Sequence, residues 1–160
     1  MNDGARYDWR PLADTMPTRE DFGRGLDENY AWGEFGGMSL DQAYEHFVAC
    51  PENRQEDFMF MGSAAFLFYF PVIERYLYTV QAESDPHDCP AWILAMGIIQ
   101  QSKESSVATN EELIGRVDAL ITHVLSHPKQ YATDEDEQER VASGWKELRE
   151  AVDEILKSGR

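Results

Sequence analysis

Residues 64–80 read AAFLFYFPVIERYLYTV, the most apolar stretch of the chain, with Glu74 and Arg75 its only charges. A helix that is apolar around its whole circumference has to be covered on all sides, so this segment is expected to form the central element of an all-α fold. Ser63, directly before it, is the expected cap. Pro71 brings no backbone donor and crowds the preceding turn, which predicts a kink or a fresh start there. Glu74 and Arg75 are expected to mark the exposed side, with Ile73, Tyr76, Leu77 and Val80 packed inward. The uncharged run over residues 64–73 falls far short of the ~20 residues a membrane span requires.

Helical signals extend outward on both sides. Upstream, Ser39-Leu40-Asp41-Gln42 has the pattern of a capping box, and Leu40, Ala43, Tyr44 and Phe47 follow at helical spacing until Pro51. A short helical turn is expected over residues 52–61, carrying Phe58 and Met61. Downstream, Pro90 suits the first turn of a helix whose buried stripe is Trp92, Ala95, Met96 and Ile99. Residues 100–108 are polar and predict a linker. Thr109 with Glu112 predicts a second capping box, opening a helix with Leu113, Val117, Leu120, Ile121 and Val124 on one face. Pro128 ends that helix. The acidic run at residues 134–137 complements a helix start, and Val141, Trp145, Leu148, Val152 and Ile155 define the final amphipathic helix. Five or six helices, with no internal repeat of fixed period, predict an α-helical bundle or array in a single domain of 160 residues.

Residues 1–38 are different. Six glycines, two prolines and many charges leave no helical period, so an irregular segment is expected ahead of a helical body at residues 39–160. Tyr7, Trp9, Phe22, Tyr30, Trp32 and Phe35 are costly to leave in water, which predicts that the segment wraps the body and is pinned by its rings. The alternation of Tyr30 and Trp32 also fits a short strand.

Charge narrows the partners. Thirty acidic against fourteen basic residues give a formal net charge of −16 and a pI near 4.5. Residues 1–90 hold 17 of the acidic and 6 of the basic residues, and so most of the excess. Such a field opposes nucleic acid and anionic membranes and draws in basic proteins. The N-terminal stretch MNDGARYDWRPLAD lacks the basic-then-apolar pattern of a secretory leader. Reduced thiols at Cys50 and Cys89 and a cytoplasmic location are therefore expected.

Catalytic patterns are scarce. His123 and His127 stand four apart on an expected helix, a spacing that can present two imidazoles to zinc. Val124 occupies the place where the metalloprotease pattern needs glutamate, and two histidines near a helix C-terminus also suit its dipole. His87, Asp88 and Cys89 share one loop, where a nucleophilic thiol beside an imidazole is one reading and a helix cap is the other. No phosphate-binding glycine loop, nucleophile elbow or EF-hand loop is present. No catalytic residue and no cofactor are expected. What remains is a surface, where Glu20, Asp21, Asp27, Glu28 and Glu34 interleave with Tyr30, Trp32 and Phe35. Aromatic anchors rimmed by charge are the composition of a protein–protein hot spot. Asp21, Asp27, Glu28, Trp32 and Glu34 are the expected partner-binding set.

The core segment Ala65-Phe66-Leu67-Phe68-Tyr69-Phe70-Pro71, preceded by Phe58 and Met61 and followed by Tyr76-Leu77, resembles a segment of uncharacterised bacterial proteins. Some of these look like immunity proteins, which protect a producer from toxins of interbacterial competition. The likeness spans residues 36–77 and consists of core-type side chains, with no catalytic motif to carry over. It implies a protein that binds and neutralises a toxin, and together with the acidic charge the expectation is a basic partner, such as a nuclease toxin. Two other classes stay open on the sequence: a regulatory or scaffold module, homo-oligomeric through the C-terminal helix, and an enzyme using His87, Cys89 or the His123/His127 pair.

Overall fold

The computed structural model describes residues 10–85 and 88–158. In chain order these form α1 (Arg19–Phe22), α2 (Leu26–Phe35), α3 (Leu40–Ala49), α4 (Pro51–Arg54), α5 (Asp57–Phe60), α6 (Ser63–Thr79), α7 (Ala91–Gln101), α8 (Ser105–Ala108), α9 (Glu111–Ser126), α10 (Pro128–Tyr131) and α11 (Glu135–Ser158). Six of these eleven segments are ten residues or longer and the other five are single turns. No strand occurs among the described residues, so the fold is all-α. Tyr30 and Trp32 lie on a helix.

The centre is α6. Phe66, Tyr69, Phe70, Ile73 and Leu77 are wholly buried along it. The helix continues through Pro71 without a fresh start. Pro71 has no N–H, so the Leu67 carbonyl one turn earlier lacks its helical donor. The backbone N–H of Leu12 donates to that carbonyl at 3.1 Å. The helix starts on Gly62, and Ser63 makes no cap bond; its hydroxyl instead accepts from Ser106 at 2.9 Å.

Glu74 corrects the expectation of an exposed side at this point, being only 7% exposed. Arg116 of α9 holds it, Nε donating to Oε2 at 3.0 Å and Nη2 to Oε1. A carboxylate taken out of water needs such a partner, since an unpaired buried charge costs several kcal/mol.

Around α6 the other helices form an array. α11 lies against α7 and α9, α3 against α6, and α5 against α7 and α2. Val141, Trp145, Leu148 and Val152 of α11 face inward as expected, and Trp145 Nε1 donates to the Ala91 carbonyl at 2.9 Å. On α7 the buried face is Ala91, Leu94, Ala95 and Ile98, while Trp92, Met96 and Ile99 pack at its margin. The buried side chain of Gln101 ties α7 to the end of α5, donating to the carbonyls of Phe58 (3.0 Å) and Met61 (2.6 Å). The expected linker holds the single turn α8, and α9 is capped by Asn110, whose side chain accepts from Leu113 N at 2.9 Å. Thr109 instead donates back to the Ser105 carbonyl at 2.7 Å. No helix among the described residues is long and apolar enough to cross a membrane.

Residues 19–35 correct the irregular N-terminal segment: they form α1 and α2. Thr18 and Asp21 make a reciprocal capping box at α1, and Gly23, at φ +102°, ends it in a conformation that favours glycine. Phe22, Ala31 and Phe35 reach the core. The Tyr69 hydroxyl lies 2.8 Å from the carbonyls of both Phe35 and Met38, tying the end of α2 to α6.

Candidate binding surface

The five residues expected to meet a partner all lie on α1 and α2, and the structure divides them by task. Asp21 serves its own helix, its Oδ2 accepting from Thr18 N at 2.7 Å and from Thr18 Oγ1 at 3.1 Å. Glu28 folds back over the turn between the two helices. A Cβ on Gly25 would stand 2.1 Å from its Oε2, so that turn admits the carboxylate because it has no side chain there. Trp32 is half-buried and packs edge-on against Phe22, ring centroids 5.2 Å apart. Arg19 sits over the outer face of the indole at 5.9 Å. Trp32 thus clamps α1 to α2 and is not a free anchor.

Glu34 turns toward the body. Its Oε2 lies 2.8 Å from His46 Nε2 and 3.6 Å from Arg54 Nε. The hydrogen bond to His46 is the main cause of its lowered pKa, burial opposes it, and Arg54 adds to the lowering. Arg54 Nε also stands 2.7 Å from that same imidazole nitrogen. A protonated Nε2 serves Glu34 and a bare one serves Arg54, so the imidazole proton chooses between them. Behind this group lies Asp57, 5% exposed, with Oδ2 lacking any hydrogen-bond partner. Burial, reinforced by the charge of Glu34 and opposed by Arg54, pushes its pKa up to about 7.

Asp27 alone of the five is exposed. Its neighbours supply what Trp32 does not. Leu26 is 86% exposed and Tyr30, one turn on, is 58% exposed. They share a face, because residues four apart on a helix lie one above the other. Gly33 continues that face, and nothing lies within 4 Å of a Cβ placed there. The outer side of α2 therefore offers a leucine and a tyrosine beside a carboxylate, while its inner side is locked by Ala31, Phe35 and Trp32, with Glu34 at the margin, one turn past Tyr30 and bonded to it.

No family model, curated protein or solved structure matches this chain.

Carboxylates also converge elsewhere. Glu52, Asp85, Asp88, Asp134 and Glu137 surround a concavity of about 520 Å³ walled by Trp92 and Tyr131. Arg140 lies over the Trp92 ring at 5.3 Å on its rim. These acids come from separate parts of the chain, so the fold concentrates negative charge beyond what any one run of sequence shows.

His123 and His127 stack with ring centroids 4.2 Å apart. Their nitrogens are engaged near the helix end: His123 Nε2 lies 3.0 Å from Gln130 Oε1, and His127 Nδ1 lies 2.7 Å from the His123 carbonyl. Burial lowers the His123 pKa. No group of three or more His, Cys, Asp or Glu side chains among the described residues is placed to hold a metal. His87 lies outside the described residues. Cys50 and Cys89 are free, and burial raises the Cys89 thiol pKa, which disfavours the thiolate that a nucleophile requires.

Of the rings that the sequence interleaves with these acids, Tyr30 is exposed, Trp32 is half-buried and Phe35 is in the core. The signal for Leu26 and Tyr30 was available: an i, i+4 apolar pair opposite Ala31 and Phe35 stands out once the segment is read as a helix.

Proposed function

We propose that this chain is a non-catalytic acidic protein that binds a basic partner protein through the outer face of α2. In a bacterial cytoplasm this binding neutralises a toxin, in keeping with the immunity-like resemblance of residues 36–77. The observation that carries the reading is the exposure of Leu26 and Tyr30 one turn apart, with Asp27 between them. Fully burying one such side chain gains roughly 1.5–3 kcal/mol, and a central apolar pair with a charged rim is the usual anatomy of a binding hot spot. A net charge of −16 speeds the encounter with a basic surface and makes its rate fall with salt. A nuclease toxin suits this chemistry, because a surface built to accept phosphates also accepts carboxylates. The homo-oligomeric scaffold draws less support, since the apolar stripe of α11 is covered by α7 and α9 within the chain.

The test pairs this protein with the product of the gene beside its own. Co-expression is expected to restore growth, and the double variant Leu26→Asp with Tyr30→Ala to abolish protection while leaving the circular dichroism spectrum unchanged. A folded double variant that still protects overturns the α2 surface. A neighbouring product that is neither toxic nor bound overturns the neutralisation.

A further inference from the structure

A second surface stands apart from α2. Between α9 and the last turn of α11 the fold leaves a groove of about 780 Å³, apolar over most of its wall. Ile114 and Gly115 line it from α9, and Ile155 and Leu156 from α11. Gly115 opens the floor, since nothing lies within 4 Å of a Cβ placed on it, and Leu156 remains 45% exposed at the edge. Glu111 and Glu154, both exposed, stand among its lining residues, along with Asp118, which Arg149 holds. The elements differ from those of the first surface: α2 packs on α1 and α5, whereas α9 packs on α6, α8, α10 and α11.

We propose that this groove receives a positively charged amphipathic helix of another protein, its apolar side chains entering between Ile114 and Leu156 and its lysines or arginines meeting Glu111 and Glu154. The apolar wall sets the first requirement, because filling it removes leucine and isoleucine surface from water. Charge sets the second. A second copy of this chain would bring Glu111 and Glu154 toward their own kind on a molecule of net charge −16, and like charges brought together across an interface oppose association. A helix presenting apolar residues at i, i+3 and i+4 with basic flanks satisfies both requirements at once. The inference does not depend on the α2 surface, whose variants serve as controls.

The probe is an 18-residue peptide of leucine and lysine patterned with helical period, labelled and titrated by fluorescence anisotropy at about 0.15 M salt, where exposed charges more than about 8 Å apart are largely screened. A scrambled peptide of the same composition keeps the charge and removes the apolar face. The patterned peptide is expected to bind about tenfold more tightly than the scrambled one, a difference of about 1.4 kcal/mol. Gly115→Trp, which fills the groove, and Leu156→Asp are each expected to lower its affinity by about tenfold, while Leu26→Asp with Tyr30→Ala leaves it unchanged. Glu111→Lys with Glu154→Lys is expected to weaken binding further and flatten its salt dependence. Equal binding of the two peptides, or undiminished binding to folded Gly115→Trp and Leu156→Asp, overturns the proposal. So does a sedimenting dimer of the unaltered protein that Leu156→Asp dissolves, which assigns the groove to a second copy.

Discussion

The backbone N–H of Leu12 donates at 3.1 Å to the Leu67 carbonyl, the acceptor that Pro71 leaves without its helical donor. A proline in the middle of a buried helix thereby becomes an attachment point for the segment before α1. Leu12 and Ala13 pack against the core beside it. Pro71→Ala is expected to return the helical donor to Leu67 and release Leu12. A net hydrogen bond is worth about 1 kcal/mol, so the Leu12 amide should exchange about five- to tenfold faster, while global stability holds or rises through the better helix propensity of alanine. Native-state hydrogen exchange read by NMR checks it. Unchanged protection at Leu12 would show that the tether rests on side-chain packing.

The start of α6 depends on one missing side chain. A Cβ on Gly62 would stand 2.0 Å from the Asp21 carbonyl oxygen, and the Gly62 N–H donates to the Phe22 carbonyl at 2.9 Å. The obstructing atoms are backbone and cannot swing aside. Gly62→Ala is expected to push α1 off α6, break that hydrogen bond and cost about 2–3 kcal/mol. Gly33→Ala is the control. It lies within α2 with open space around it, and the helix preference for alanine predicts a gain of up to about 1 kcal/mol. Chemical denaturation of both variants tests the pair, and a Gly62→Ala protein as stable as Gly33→Ala would contradict the close approach.

How far the sequence disclosed this structure varied with the kind of signal. Capping and periodicity read correctly where a polar face gave the helix an orientation. Ser39 and Gln42 form the expected box, Gln42 N donating to Ser39 Oγ at 3.2 Å and Ser39 N to Gln42 Oε1 at 2.9 Å. The stripe of α11 packs as expected. On α7, apolar residues occupy nearly every position and the period no longer fixes the rotation, so the buried face fell one residue from the expected one. The helix α2 escaped notice because glycines at 25, 33, 36 and 37 obscured the period, although Thr18 with Asp21 and the acids Asp27 and Glu28 marked the two helix starts. The pairing of Glu74 with Arg116 joins residues 42 positions apart and no local pattern announces it. The exposed pair Leu26 and Tyr30 was hidden by the same omission, since exposure on a helix is legible only after the helix itself has been recognised.

Asp57 ties stability to pH in the range where a cell operates. An unfolded aspartate releases its proton near pH 3.8, whereas in the fold burial and the nearby charge of Glu34 hold it to about pH 7. Other groups bear on it as well: Arg54 opposes the shift, Glu56 adds to it, and the imidazole of His46 contacts both Glu34 and Arg54. α7, which also packs on α5, carries no charged residue. Between about pH 4 and pH 7 the native state binds more protons here than the unfolded state, so this group makes stability fall as pH rises through that window and adds no further slope above it. A shift of about three units corresponds to about 4 kcal/mol at full development. Asp57→Asn fixes a neutral group in place. Its urea midpoint is expected to lose the falling limb between pH 5 and pH 7 and to exceed that of the unaltered protein at pH 8, by less than the full amount because the new amide needs acceptors of its own. Parallel limbs in the two proteins would mean that Asp57 is already ionised in the fold below pH 5, with its unpartnered oxygen solvated by water.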